Sequence, residues 1–240
     1  MTRADVCVVA CADAWRGDGA VLASPTGLIP RLGARLAQLT FAPGLLLTDG
    51  EATLLRDEEA EGWLPYRAVF GVVAAGTRHV MMGASQIDRF GNQNISCVGD
   101  WSAPHRQLLG VRGAPLNTLN NPTSYWIPKH SRRVFVERVD MVCGVGYDRA
   151  AGLGATARFH RIPRVVSDLG VFDFATPDHS MRVASLHPGV SVEEVREATG
   201  FALGVPEEVP RTREPGGEEL RLIREVLDPK SLRDREVPSS

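Results

Sequence analysis

The chain has no cysteine pair at CxxC spacing and no histidine beside its four cysteines at a zinc-ligand interval, so a structural zinc site has no sequence basis. No apolar run approaches the roughly 20 residues needed to cross a bilayer. Residues 6–12 run into Asp13 and Arg16 without a small-residue cleavage pattern, which argues against a secretion leader. An excess of charge of one sign is also missing: 27 basic and 29 acidic residues are mixed along the sequence for a net charge of -2. That balance excludes a strong nucleic-acid footprint and points to neutral molecules or proteins as partners. No internal repeat or linker is evident, which favours one domain, and the lack of a leading helix-turn-helix segment disfavours the sensor domain of a regulator. A soluble, cytoplasmic protein is expected, with Cys7, Cys11, Cys97 and Cys143 as buried small apolar side chains.

With 43% apolar residues, the 240-residue chain has ample material for a core. The stretch Leu45-Leu46-Leu47-Thr48-Asp49-Gly50-Glu51 is a short apolar run that stops at small and acidic residues. It predicts a strand buried on both faces with a site at its carboxyl end, where Thr48, Asp49 and Glu51 would stand; an ordinary Asp49-Gly50 turn is the alternative. Upstream, the pattern predicts a helix over 4–15, a strand over 20–23, a loop over 24–27 and a helix over 28–39. Leu28, Leu32, Leu36 and Leu39 would line the inner face of that second helix. The order strand, helix, strand reads as a right-handed parallel βαβ unit.

Downstream, the sequence predicts a solvated acidic loop over 56–62, a helix over 67–75 and strands over 79–88 and 95–98. Gln86, Asp88, Asn92 and Asn94 gather at a strand end and its turn, either capping that turn or touching a ligand. Residues 110–130 are rich in Gly, Pro, Asn and Thr and lack periodicity, as a binding loop or a disordered one would. Arg112 and Gly113 open this segment; Tyr125 and Trp126, read as packing, come near its end, followed by Lys129 and His130. Further strands are expected over 134–142, 164–172 and 181–186, then a helix over 192–199 capped by Ser191 and Glu194. A last amphipathic helix over 217–227 would bury Leu220, Ile223 and Leu227 ahead of a polar tail over 228–240. The expected organisation is one body over 1–204, with residues 205–240 packed on it or extending from it.

Several segments carry a resemblance. They are Gly83-Ala84-Ser85-Gln86-Ile87-Asp88 with Gly91-Asn92-Gln93-Asn94, the block from His130 to Asp140, and Val166-Ser167-Asp168-Leu169-Gly170-Val171-Phe172. Pro188-Gly189-Val190-Ser191-Val192-Glu193-Glu194-Val195 and Ala198-Thr199-Gly200-Phe201 complete the set. In this order they are similar to the β-type subunit of the class I coenzyme A transferase family, over about residues 4–203. The resemblance implies an α/β fold with an open, mostly parallel sheet and helices on both faces. It also implies a homologous α-type partner, an α2β2 assembly and an active site between the two chains. Family transferases end the opening strand with Glu-Ser-Gly or Glu-Asn-Gly, and that glutamate attacks the thioester; here the triplet is Thr48-Asp49-Gly50. Threonine cannot form the acyl anhydride that passes coenzyme A between acids. Where the family carries a Gly-Gly run, this chain has Arg112-Gly113-Ala114-Pro115.

These departures resemble a branch of the family that opens the last steroid ring in cholesterol degradation, carried as its coenzyme A ester. The implied reaction is hydrolytic carbon–carbon cleavage of a cyclic β-dicarbonyl, with no cofactor because coenzyme A belongs to the substrate. Thr48, Asp49, Glu51 and His130 are the candidate catalytic residues, the general base coming from this set or from the partner. Gln86, Asp88, Asn92, Asn94, Arg112, Gly113 and Lys129 are candidates for substrate and coenzyme A contact. A transferase using Asp49 or Glu51, and a scaffold subunit whose partner holds all the chemistry, are the alternatives.

Overall fold

The structure is a computed structural model that describes residues 1–49, 53–56, 59–63, 68, 71 and 78–238. Nine strands form the main sheet: β1 (Leu22–Pro25), β2 (Leu46–Thr48), β3 (Thr53–Arg56), β4 (Glu59–Trp63), β5 (Arg78–Gly83), β10 (Thr123–Ile127), β11 (Val165–Ser167), β12 (Gly170–Asp173) and β13 (Arg182–Leu186). Two small ribbons, β6 (Gln86–Ile87) with β7 (Gln93–Asn94) and β8 (Cys97–Val98) with β9 (Arg106–Gln107), stand outside it. The sheet order is β13-β12-β11-β10-β5-β1-β2-β3-β4. From β11 to β2 every pairing is parallel, and an antiparallel pair of strands completes each edge.

The helices include α1 (Arg3–Asp13), α2 (Leu28–Thr40), α3 (Ala114–Asn120), α4 (Val192–Ala198), α5 (Gly217–Arg221), which continues as a π-helix over Leu222–Leu227, and α6 (Arg233–Glu236), beside a single turn at Tyr147–Ala150 that runs into a 3-10 helix over Ala151–Ala157. None among the described residues is long and apolar enough to cross a membrane. Side chains alternate across each strand, and the two faces differ in cover. Ala23, Leu45, Leu47, Met81 and Trp126 pack with α1, α2 and the C-terminal segment, whereas Val80, Met82, Tyr125 and Ile127 pack with Ala114 of α3 and the segments after β5 and β10. Helix α1 is buried on all sides, and α2 approaches it closely at Gly33, where an added Cβ would lie 2.8 Å from Cys11 Cβ. All four cysteines are buried and unpaired.

The parallel β1–α2–β2 unit is present, with Leu22 opposite Leu46. Because β5 joins β1 on the side away from β2, the order of travel reverses at β1. The crevice of such a sheet lies beyond the carboxyl ends of its strands, at that reversal. That places it next to Thr48.

Several expectations require correction. Strand β2 is not buried on both faces: Leu46 is 64% exposed on the face that also carries Thr48. Leu39 points outward, and the inner face of α2 is Ile29, Leu32, Leu36 and Ala37. Strand β1 reaches Pro25, two residues into the expected loop. The acidic segment is largely a β3–β4 hairpin, because its apolar neighbours Leu54 and Leu55 supply a strand with which 59–63 can pair. The helix expected over 67–75 lies largely outside the described residues, with only 68 and 71 assigned as helical.

Residues 110–130 form neither a long binding loop nor a disordered one. Pro115, preset for a first helical turn, starts α3, and the segment closes in the buried central strand β10. Residues 134–142 form no strand; Phe135 makes a single bridge to Ile87 because its N–H turns back to Ser131 O. The single strand expected over 164–172 is a hairpin broken at Ser167, whose hydroxyl accepts the Leu169 N–H. Helix α4 carries the expected Ser191 cap, which accepts the Glu194 N–H.

Residues 228–238 are not a polar tail. Asp5, in the first turn of α1, receives Arg233 Nε at 2.8 Å and Arg224 Nη2 at 2.6 Å, while Arg233 Nη1 also reaches Asp228 at 3.0 Å. Burial on its own would raise the Asp5 carboxyl, but the Arg224 hydrogen bond, the Thr2 N–H and Arg233 together hold it below its ordinary value. Trp126 Nε1 donates to Glu236, tying α6 to the sheet.

Candidate active site

Parallel register sets Ser24 beside Thr48, one step beyond the pair Ala23 and Leu47. Thr48 Oγ1 donates to Ser24 Oγ at 3.1 Å, and Ser24 Oγ also accepts Arg78 Nε at 2.7 Å. Arg78 Nη1 continues to Asn117 Oδ1 of α3 at 3.1 Å. A buried polar line thus crosses from β2 through β1 and β5 to the helix that follows Arg112 and Gly113. Thr48 is 2% exposed and Arg78 5%. Ser24, Arg78 and Asn117 were not singled out by the sequence. The one available signal was an arginine heading an apolar strand, which reads as a surface residue unless its neighbours are known.

Asp49 is exposed and closes the turn after β2: its N–H donates to Thr53 O, and its Oδ1 accepts the Thr53 N–H at 3.2 Å. Glu51 lies outside the described residues. Arg112 is exposed and holds a left-handed backbone at φ 48, an uncommon conformation for a side-chain-bearing residue, immediately before Gly113 and α3. Lys129 is exposed beyond the carboxyl end of β10.

Gln86, Asp88, Asn92 and Asn94 are brought together but are buried and committed to one another. Asn94 Nδ2 donates to Gln86 Oε1 at 2.7 Å, and Gln86 Nε2 to Asp140 at 2.9 Å. Asp88 accepts from the Phe90 and Asn92 N–H groups, while its turn passes through Gly91 at φ 84. Burial raises the Asp88 carboxyl despite the Asn92 and Phe90 hydrogen bonds. In this arrangement their hydrogen bonds set the path of the chain after β5.

His130, expected to take part in the chemistry, is a packed neutral imidazole. Its Nδ1 meets Ser167 Oγ at 2.9 Å, its Nε2 meets Thr199 Oγ1 at 3.0 Å, and its ring stacks on Phe135 at 3.6 Å. Burial pushes its pKa down to about 3, and burial likewise takes His187 to about 4. Both are neutral in the fold at pH 7, whereas the unfolded chain binds protons near pH 6.5. Their stabilising effect is therefore complete above pH 6.5 and is lost as the pH falls towards their folded values, by at most about 1.4 kcal/mol per unit for each. Thermal melts from pH 7 to pH 5 should show falling stability, with a shallower dependence for His130→Gln. An unchanged slope would place the titration elsewhere.

Asp18, His79 and Ser124 fall in the order of a hydrolytic triad. Asp18 Oδ2 meets His79 Nδ1, and His79 Nε2 meets Ser124 Oγ at 2.9 Å. Ser124 is completely buried and Trp15 covers the imidazole, so no substrate reaches this hydroxyl. A cleft of about 340 Å³ lies nearby, lined by Asp13, Arg16, Asp18, Arg161, Arg164 and His179 among others. Asp18 precedes β1 and Arg164 precedes β11, so this cleft is at the amino ends of the parallel strands. It is remote from Thr48.

A family model described as coenzyme A transferase matches residues 69–198. The "Cholesterol ring-cleaving hydrolase IpdB subunit" of Rhodococcus jostii is 56% identical over 244 residues, covering 99% of this chain and 96% of that one. Its counterpart of the same name from Mycobacterium bovis is 54% identical over 248 residues, covering 99% of each chain. In three dimensions the chain is similar to the crystal structure of Rhodococcus jostii RHA1 IpdAB, with a TM-score of 0.95 at 56% identity over 99% of this chain and 98% of that one. The expected transferase-like fold is thus present in full, carrying threonine at the end of β2. The chain belongs to the coenzyme A transferase family.

Proposed function

We propose that this chain is the β-type subunit of a heteromeric enzyme that hydrolytically opens a ring of a cyclic β-dicarbonyl coenzyme A ester from the last steroid rings in cholesterol degradation. The observation that carries the proposal is Thr48: a hydroxyl, donated into Ser24, stands at the strand end where the resemblance implies a nucleophilic carboxylate. Likeness along nearly the full chain to subunits named for ring-cleaving hydrolysis supports it. An α-type partner, in an α2β2 assembly, completes the site. A cytoplasmic setting agrees with four unpaired cysteines.

The chemistry follows from the loss of the carboxylate. A base draws a proton from water, whose oxygen adds to a ring ketone. Hydrogen-bond donors hold the oxyanion. As the carbonyl re-forms, the electron pair of the carbon–carbon bond passes to the neighbouring carbon as an enolate stabilised by the second carbonyl. The proton taken from water then returns to that carbon, giving a carboxylic acid and an opened ring. No protein acyl intermediate is needed, and no cofactor enters the balance. Thr48, with its proton directed into Ser24, is the hydroxyl beside which the attacking water is oriented. Arg112 and Lys129, both exposed, are the cations this reading assigns to the coenzyme A moiety of the substrate.

The test uses this chain alone, its α-type partner alone and the pair, each with a cyclic β-dicarbonyl coenzyme A ester. Ring opening should require the pair, and hydroxylamine or borohydride should trap no enzyme thioester. Turnover by the isolated chain, or a trapped glutamyl or aspartyl thioester, would overturn the reading. Arg112→Ala should raise KM for the ester about 10-fold with kcat little changed. A fall in kcat alone would move Arg112 from binding to chemistry.

A further inference from the structure

Burying a guanidinium without an anion carries a desolvation cost that folded chains usually offset by pairing. Arg233 follows that pattern, with Asp5 and Asp228 as its partners. Arg78 does not. Among the described residues its partners are two neutral oxygens, Ser24 Oγ at 2.7 Å and Asn117 Oδ1 at 3.1 Å, and it makes no ion pair. Burial alone pushes its pKa down to about 10, which leaves the group protonated at neutral pH. A buried positive charge is thus maintained within two hydrogen bonds of Thr48, no more than about 6 Å from its hydroxyl, with its counter-charge missing from the chain's own described residues.

We infer that Arg78 is a positioning residue of the ring-opening site, holding Ser24 as the acceptor of the Thr48 proton and leaving its own charge to offset the negative charge that develops beside Thr48 during the reaction. The inference rests on the placement of the reaction at Thr48. Arginine can only donate, so its Nε–H occupies one lone pair of Ser24 Oγ and the Thr48 hydroxyl the other. The Thr48 rotor is thereby fixed with its proton directed into Ser24. The charge is useful at a later point. Water addition creates an oxyanion and bond cleavage an enolate, and a cation held in low dielectric near Thr48 favours both over the neutral substrate. The expected contribution appears in kcat and not in KM, because the ground state carries no such charge at the reacting centre.

The experiment compares Arg78→Met, Arg78→Lys, Ser24→Ala and Thr48→Val in the assembled pair, with assembly followed by light scattering and turnover on a cyclic β-dicarbonyl coenzyme A ester. Arg78→Met should lower kcat about 10²-fold with KM unchanged, and Arg78→Lys, which keeps the charge, should recover about 10-fold of that loss. Ser24→Ala should lower kcat about 10-fold and keeps the inference testable if the methionine variant fails to assemble. If Thr48→Val is slow while Arg78→Met and Ser24→Ala turn over normally, the role of Arg78 is overturned and the Thr48 reading stands. If Thr48→Val turns over normally, both fall. Loss of assembly in Arg78→Met and Ser24→Ala, with normal kcat in the complex that remains, would also overturn the inference by assigning the counter-charge to the partner subunit.

Discussion

Thr48→Val, in the assembled pair, should lower kcat by about 10²- to 10³-fold with KM little changed, the scale on which one oriented hydrogen-bonding group at a reacting centre acts. Valine matches threonine in shape, so the buried end of β2 keeps its packing. What disappears is the hydroxyl that donates to Ser24 at 3.1 Å, the polar group that closes β2. Thr48→Ser retains the hydroxyl and should stay within about 10-fold of the parent, the remaining loss reflecting a less restricted rotor. Steady-state kinetics on the cyclic ester distinguishes the two. Normal turnover by the valine variant would remove Thr48 from the chemistry and leave the end of β2 as a structural turn.

Arg233→Ala should destabilise the chain by about 3–5 kcal/mol, because it leaves the buried Asp228 carboxylate without its cation and the buried Asp5 with only the part-exposed Arg224. For a chain of this size that corresponds to a fall of roughly 10 °C in Tm. Arg224→Ala is the internal comparison: Arg224 also contacts Asp5, but its side chain is 40% exposed, and its removal should cost only about 1 kcal/mol. Chemical denaturation of both variants measures the difference. Equal small losses would mean that the buried Arg233 pairing is not what holds the C-terminal segment to α1.

The two results concern features that differ in how far the sequence discloses them. The β1–α2–β2 unit was legible because its apolar residues recur at helical spacing between two short apolar runs, a pattern local enough to be read without partners. Thr48 was legible for the same reason, as the first polar residue after such a run, and the family resemblance gave its identity meaning. Arg233 was not. Its partner Asp5 lies at the opposite end of the chain, and a segment containing Asp228, Lys230, Arg233 and Asp234 looks solvated until the fold brings that end to α1. Arg78 was hidden likewise, since its burial depends on Ser24 of β1 and Asn117 of α3.

Misreadings elsewhere have related causes. Asn, Gly, Pro and Thr around 110–123 are turn formers, yet here they punctuate a helix and a central strand: Pro115 starts α3, and Asn121 with Pro122 delivers the chain into β10. His130 drew attention as a titratable group in a matching segment. Only its surroundings, Ser167 on one ring nitrogen and Thr199 on the other, reveal a packed imidazole. Leu46 shows the reverse case, an apolar side chain in an apolar run that the isolated chain leaves exposed. Periodicity gives the face a residue occupies, but the cover of that face depends on what the fold packs against it.

The central claim is that the chemistry at the end of β2 uses water where its transferase relatives use a protein carboxylate. Incubating the purified pair with a cyclic β-dicarbonyl coenzyme A ester in oxygen-18 water, with no acceptor acid present, tests it most directly. The account expects ring-opened product carrying one heavy oxygen in its new carboxylate. Product formed only when an acceptor acid is added, or a new carboxylate without label, would contradict it.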